Sequence, residues 1–200
     1  GDTTSSPTIV ITLQVQGIVP TGKALTRNTA AIGDDIWLSG EVGRSAAALS
    51  NILESPKSLV ENDDSLAAAY FYPQAQIALG KQLQNLATSA MDISDGLLQD
   101  MSHIAKASQC CLNIESQLVP VSALAIKQCG QKPALQFALS GGDDYQLLFT
   151  AAKSVRAELE ALHCFRIGAV EKLVQERVQD QWVLLDSQPI DNKHMGYQHF

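Results

Sequence analysis

The sequence predicts an α/β or α+β domain built on a mixed sheet with flanking helices, and three observations carry that expectation. Short apolar runs rich in β-branched residues alternate with segments whose apolar residues recur every three or four positions. These strand-like and helix-like segments interleave without the regular spacing of repeated βαβ units. At 46% hydrophobic and 18% charged over 200 residues, the chain has enough apolar material for a sizeable core, and neither a disordered nor a collagen-like composition.

Taken in order, Thr8 to Val19 alternates Ile9, Ile11, Leu13 and Val15 with Val10, Thr12, Gln14 and Gln16, the period of a strand, and Gly17, Pro20 and Gly22 close it. Lys23 to Ala30 is polar and reads as a connector. Ile36 to Leu38 is a short buried strand ending at Gly40, and Ser45 to Leu53 a helix with Ala46, Leu49, Ile52 and Leu53 at helical spacing. Pro73, tolerated in a first turn, opens a helix through Leu86. Thr88 to Ile93 is a strand. Ser94 then caps a helix that carries Asp95 in its first turn and Leu97, Leu98, Met101, Ile104 and Ala105 along one stripe. Cys111 to Ile114 is a strand, Val121 to Gln128 a helix, Tyr145 to Thr150 a strand and Lys153 to His163 a helix. Phe165 to Val170, Leu173 to Val178 and Trp182 to Leu185 are late strands. No repeat, low-complexity tract or linker splits residues 28–200.

Charge and cysteine usage exclude several classes of function. With 21 acidic against 14 basic side chains the net charge is −7, which lacks the positive field of a non-specific nucleic-acid or membrane-surface binder. No run approaches the ~20 apolar residues of a membrane span, and the start has no basic and apolar leader pattern. Cys110, Cys111, Cys129 and Cys164 form no C-x-x-C pair and have no histidine at zinc spacing, so they read as buried or half-buried thiols of a reduced, cytoplasmic protein. His103, His163, His194 and His199 are scattered and support no nucleophilic triad. Trp37 and Trp182 read as core residues.

The chemistry-bearing pattern is a repeated pairing of Asp with Gly at the ends of apolar segments: Gly1-Asp2-Thr3-Thr4, Gly33-Asp34-Asp35, Asp92-Ile93-Ser94-Asp95-Gly96 and Gly141-Gly142-Asp143-Asp144. Carboxylates are the hard oxygen donors that Mg²⁺ takes beside waters and phosphates, and glycines let backbone approach a ligand. Asp and Gly are equally the commonest turn residues. Asp92 at a strand end and Asp95 in a helix's first turn can face one point near a helix N-terminus suited to anions, or merely complement a helix dipole. Gly40-Glu41-Val42-Gly43-Arg44-Ser45 lacks the spacing and the lysine of a phosphate loop and reads as a strand-to-helix turn.

As an ordered set the motifs resemble the thiamine-monophosphate kinase family, within the aminoimidazole ribonucleotide synthetase-like superfamily. Gly1-Asp2-Thr3-Thr4 looks like the end of a Gly-Gly-Asp-Thr-Thr motif. Gly17 to Pro20, Ala24-Leu25-Thr26-Arg27, Gly33-Asp34, Gly43-Arg44-Ser45-Ala46-Ala47, Asp92-Ile93-Ser94-Asp95-Gly96-Leu97, Ser140-Gly141-Gly142-Asp143-Asp144-Tyr145 and Gly196-Tyr197-Gln198-His199-Phe200 follow in the family's order. The resemblance implies the C-terminal domain of that fold over residues 27–200. Residues 1–26 are then the last strand of a truncated N-terminal ATP- and Mg²⁺-binding domain plus a connector. Full-length members are homodimers through that N-terminal domain, so the first strand is expected to expose apolar surface able to pair with a neighbouring copy.

The implied reaction is ATP-dependent phosphorylation of thiamine phosphate to thiamine diphosphate by direct in-line transfer, with several Mg²⁺ ions and no covalent catalytic residue. Carried over residue by residue, Gly1, Asp2, Arg27 and Ser94 contact ATP; Asp2, Asp92 and Asp95 hold Mg²⁺; Asp143, where the family commonly has Glu, and Tyr197 meet the thiamine moiety. Gly33-Asp34 is a turn in the family and not a metal motif. With half the metal cage upstream, the 200 residues alone are expected to be inactive. The rival readings are another enzyme of the superfamily, such as selenophosphate synthetase, and a non-catalytic nucleotide- or metal-binding module.

Overall fold

The computed structural model describes residues 7–54, 65–173 and 182–190. Within these residues seven strands form one mixed sheet in the order β2-β4-β1-β5-β3-β6-β7: β1 Asp35–Leu38, β2 Ala87–Asp92, β3 Cys111–Ile114, β4 Leu147–Ala151, β5 Phe165–Glu171, β6 Val183–Leu185 and β7 Gln188–Pro189. All neighbours are antiparallel except β3 and β6. Among the described residues seven α-helices accompany them: α1 Arg44–Glu54, α2 Ser65–Phe71, α3 Ile77–Leu83, α4 Leu97–Ser108, α5 Ala123–Cys129, α6 Gln131–Ser140 and α7 Arg156–Ala161. The mixed α/β class is the one the interleaved pattern predicts.

Side-chain alternation along the central strands divides the core between the two faces of the sheet. Ile36, Leu38 and Leu148 face the stripe Leu97, Leu98, Met101, Ile104 and Ala105 of α4. Trp37, Phe149 and Ala151 face Leu83 of α3 and Leu159 of α7, with the Trp37 and Phe149 rings stacked at 6.5 Å. A third cluster joins Ala47 and Ala48 of α1 to Leu66, Ala125 and Ala134. Small residues let α1 and α6 approach so closely that a Cβ on Gly43, itself at φ +85°, would lie 2.6 Å from the Ala138 backbone nitrogen. All four cysteines are free, three of them buried and Cys129 half-buried, as their sequence context implies. Trp182 packs half-buried against the main core.

Several elements differ from the pattern-based expectation. Among the described residues Thr8 to Val19 joins no strand, and Ile9, Ile11, Leu13 and Val15 are all more than 80% exposed. An alternating segment becomes a strand only beside a partner, and no described strand lies beside this one. The helix expected from Pro73 begins at Ile77, because Gln74 and Gln76 donate from their side chains to the carbonyls of Tyr72 and Gln74 and hold that stretch non-helical. The segment from Lys153 opens as a 3₁₀ turn before α7. Helices α2 and α6 and strand β7 were not expected. Residues 174–178 of the expected strand from Leu173 lie outside the described residues.

The Gly33-Asp34-Asp35 segment is a structural turn. Gly33 sits at φ +93°, and Asp34 accepts from the Ala31 amide and the Thr88 hydroxyl at 3.0 and 2.6 Å. Buried Asp35 accepts two bonds from the Arg156 guanidinium at 2.6 and 2.7 Å.

Candidate functional site

The two Asp-Gly motifs, some fifty residues apart in sequence, are joined by the sheet. Strands β2 and β4 pair antiparallel with Asp92 opposite Leu147. Hydrogen bonding runs on past both strand ends: Ile93 N–H donates to the Gln146 carbonyl (2.8 Å), Tyr145 N–H to Ile93 (2.9 Å) and Asp143 N–H to Ser94 (3.0 Å). Gly142 makes this approach sterically feasible, since a Cβ there would run into the Ser94 carbonyl oxygen. Gly142→Ala is therefore expected to push the two loops apart, costing about 1–3 kcal/mol as an overpacking change and a larger factor in ligand affinity. Urea unfolding and nucleotide titration of the variant check this, and unchanged affinity would refute the role of the close approach.

Two buried carboxylates hold the surrounding backbone. Asp100, in the first turn of α4, accepts from the Ser94 and Asp95 amides at 2.9 and 3.2 Å. Burial raises its pKa to about 6, the two amides oppose that rise, and the charges of Asp95 and Asp92 add to it. This corrects two expectations: Ser94 is not the helix cap and Asp95 is not in the first turn. Gly96, at φ +119°, is the N-cap, because the Asp100 side chain reaches back and takes the amides of the preceding loop. Asp144 does the same for α1, accepting from Gly43 at 2.6 Å and Ser45 at 3.1 Å and also from the Arg44 amide. The Gly40–Ser45 turn is thus a strand-to-helix connection whose N-terminal amides are filled by the Asp144 side chain.

Beside these loops lies a cavity of about 980 Å³, lined by Ser94, Asp95 and the adjacent pair Asp143 and Tyr145, together with Leu49 and Phe137. Its lining combines carboxylates with apolar and aromatic side chains. Asp143 and Tyr145 both adopt left-handed backbone, φ +64° and +50°, and the Tyr145 hydroxyl donates to Asp143 Oδ1 at 3.1 Å. Burial and then that hydrogen bond raise the Tyr145 phenol above its usual pKa, with the charges of Asp92 and Asp95 adding to the effect.

The structure brings Asp92, Ser94, Asp95 and Asp143 to one end of the β2–β4 pair. Asp92 is exposed, and Ser94, Asp95 and Asp143 are half-buried. Arg27 is exposed on the connector, whose backbone is tied down where the Ser108 hydroxyl donates to the Arg27 carbonyl at 2.8 Å and the Ala90 amide to Thr26 at 3.1 Å. Burial, with the positive charges of Arg27 and Lys106, lowers the pKa of His103 on α4. Ligand atoms of Asp95, Asp100 and His103 lie within 4.8 Å of one another, so Asp95 has companions that motif reading did not name. Gly1, Asp2 and Tyr197 lie outside the described residues. Asp100 and Asp144 were missed as well. The available signals were an acid six residues beyond the expected cap at Ser94 and a second acid beside Asp143.

The sheet order, the flanking helices and the paired acidic loops define an aminoimidazole ribonucleotide synthetase-like domain. No family model matches the chain. The thiamine-monophosphate kinase of Escherichia coli strain K12 is 37% identical over 205 residues, covering 100% of this chain and 62% of that protein. Among solved structures, the thiamine-monophosphate kinase of Stenotrophomonas maltophilia K279a superposes with a TM-score of 0.78 at 34% identity, covering 86% of this chain and 56% of that one. AaThiL, solved in complex with AMPPCP and TMP, gives 0.74 at 32% identity, covering 88% and 54%. Over its whole length the chain is homologous to thiamine-monophosphate kinases, and it spans about 62% of the length of the curated relative from E. coli. No helix among the described residues is long and apolar enough to cross a membrane.

Proposed function

We propose that the protein transfers the terminal phosphoryl group of ATP to thiamine phosphate, giving thiamine diphosphate and ADP. The observation that carries the reading is the joined pair of loops. They set carboxylates beside an apolar, aromatic-lined cavity of about 980 Å³, a combination suited to a phosphorylated organic cation. The complex of the related AaThiL with AMPPCP and TMP supports both ligands.

In this reading Asp92 and Asp95 hold Mg²⁺, with Asp2 as a further ligand. Their carboxylate oxygens, exposed or half-buried at a loop end, are a donor set that fits a hard divalent cation. Bound there, Mg²⁺ would neutralise phosphate charge. The protein's own part is positioning. Arg27, with Gly1 and Asp2, meets the nucleotide, and Ser94 contacts ATP from the loop that Asp100 holds. Asp143 and Tyr197 meet the thiamine moiety, and the apolar wall at Leu49 and Phe137 excludes water. Transfer is direct and in line, with no covalent phospho-enzyme. The exposed apolar stretch from Ile9 to Val15 supports assigning residues 1–26 to a neighbouring domain.

The test is an assay of the full polypeptide with ATP, Mg²⁺ and thiamine phosphate. Formation of thiamine diphosphate is expected. Phosphorylation of a different acceptor with none of thiamine phosphate would refute the assignment.

A further inference from the structure

We infer that Tyr145 is a positioning residue for substrate selection. Its phenol holds one oxygen of Asp143 so that the carboxylate is presented to the cationic, hydrogen-bond-donating part of the acceptor. The inference rests on the function proposed above and adds a residue with a defined task.

Asp143 is a short side chain at the edge of a wide cavity. Resemblance to the family leads one to expect the longer Glu there, so an Asp must reach its ligand from further away. An unrestrained carboxylate rotates about two torsions and loses entropy each time a ligand orders it. Here one oxygen is already engaged, since the Tyr145 hydroxyl donates to Asp143 Oδ1 at 3.1 Å. Among the described residues no hydrogen bond to Oδ2 is recorded, so that oxygen remains for a ligand. Both side chains line the cavity.

The backbone supports the pairing independently. Asp143 and Tyr145 both stand in the left-handed region, a conformation that costs energy for side-chain-bearing residues and is held here from outside. The restraints are the Asp143 and Tyr145 amides donating to Ser94 and Ile93 and the Asp144 carboxylate anchored on α1. Between two left-handed residues, with buried Asp144 turned inward, the flanking side chains come together at the cavity wall. Tyr145 is 37% exposed and does not fill the core, so its ring is dispensable for folding while its hydroxyl is placed for this contact.

The experiment measures thiamine phosphate affinity by calorimetry and steady-state kinetics on the full polypeptide, for the wild type, Tyr145→Phe, Asp143→Ala and the double variant. Tyr145→Phe is expected to weaken thiamine phosphate binding and raise its KM by about five- to tenfold, the scale of one typical net hydrogen bond. KM for ATP and the unfolding midpoint are expected to hold. In the Asp143→Ala background the same change should add less than about twofold, because the hydroxyl then has nothing to orient. Equal affinity in wild type and Tyr145→Phe, or fully additive losses, would overturn the inference while leaving the function standing. A lowered midpoint with ATP and thiamine phosphate affected alike would overturn it in favour of a structural role. A wild type that does not bind thiamine phosphate would remove the proposed function, and this inference with it.

Discussion

Replacing Asp92 by alanine in the full polypeptide is expected to lower turnover of thiamine phosphate by roughly a thousandfold, the scale of several kcal/mol of lost charge stabilisation at a transferring phosphoryl group. The same change should leave the fold almost untouched. Asp92 is the exposed last residue of β2, its backbone stays in the ladder opposite Leu147, and the core of that strand lies at Met91 and Ser89. Surface substitutions of this kind stay within about 0.5 kcal/mol. The variant's Mg²⁺ requirement should also rise, which separates loss of a metal contact from loss of nucleotide affinity. Unchanged turnover at limiting Mg²⁺ would sink the assignment of Asp92 as a ligand.

The second large effect concerns stability and has a pH signature. Asp144 caps α1 from a distant loop, and burial raises its pKa from 3.8 to about 6, against the pull of the Gly43, Ser45 and Arg44 amides and with a further push from Asp143. A folded-state pKa above the unfolded value means that the native state binds the proton more tightly. The stabilisation tied to that proton is therefore complete below about pH 4 and is lost as pH rises through 6, a swing of roughly 3 kcal/mol. Asp144→Ala removes both the cap and the titration. Its deficit relative to wild type is expected to be about 3 kcal/mol near pH 5, where three amides lose their acceptor, and smaller at pH 8. Urea unfolding at the two pH values decides, and a deficit that grows with pH would refute the assignment.

What could be read from the chain and what could not divides along a physical line. Strands β1, β2, β3 and β5 and helix α4 were legible because each buries its own stripe or alternates across one sheet, so local periodicity and tertiary burial agree. Helix α6 was not, because Gly130 and Pro133 signal a break, and its buried residues are only Ala134, in the cluster with α1, and Ala138, in the main core. The same limit applies at the site. The motifs around Asp92 and Asp143 are visible as turns with acids, and their order led to the family. Their union depends on β2 pairing with β4, a contact between strands that are not neighbours in the chain. Ser94 was misread as a cap because the rule weighs the residue before a helix. Here the decisive oxygen belongs to Asp100, six residues further on.

The ladder between β2 and β4 also makes the spacing of the acidic groups a matter of counting. Deleting one residue from Leu148–Thr150 would slide the partner strand by a single step, turn Phe149 and its neighbours to the wrong face and carry Asp143 about 3.3 Å away from Ser94. Natural or engineered length variation in this domain should therefore be absent from 147–151. For transplantation the two loops are one cassette: a graft that carries 92–100 without 140–147 brings the acids but not the scaffold that spaces them.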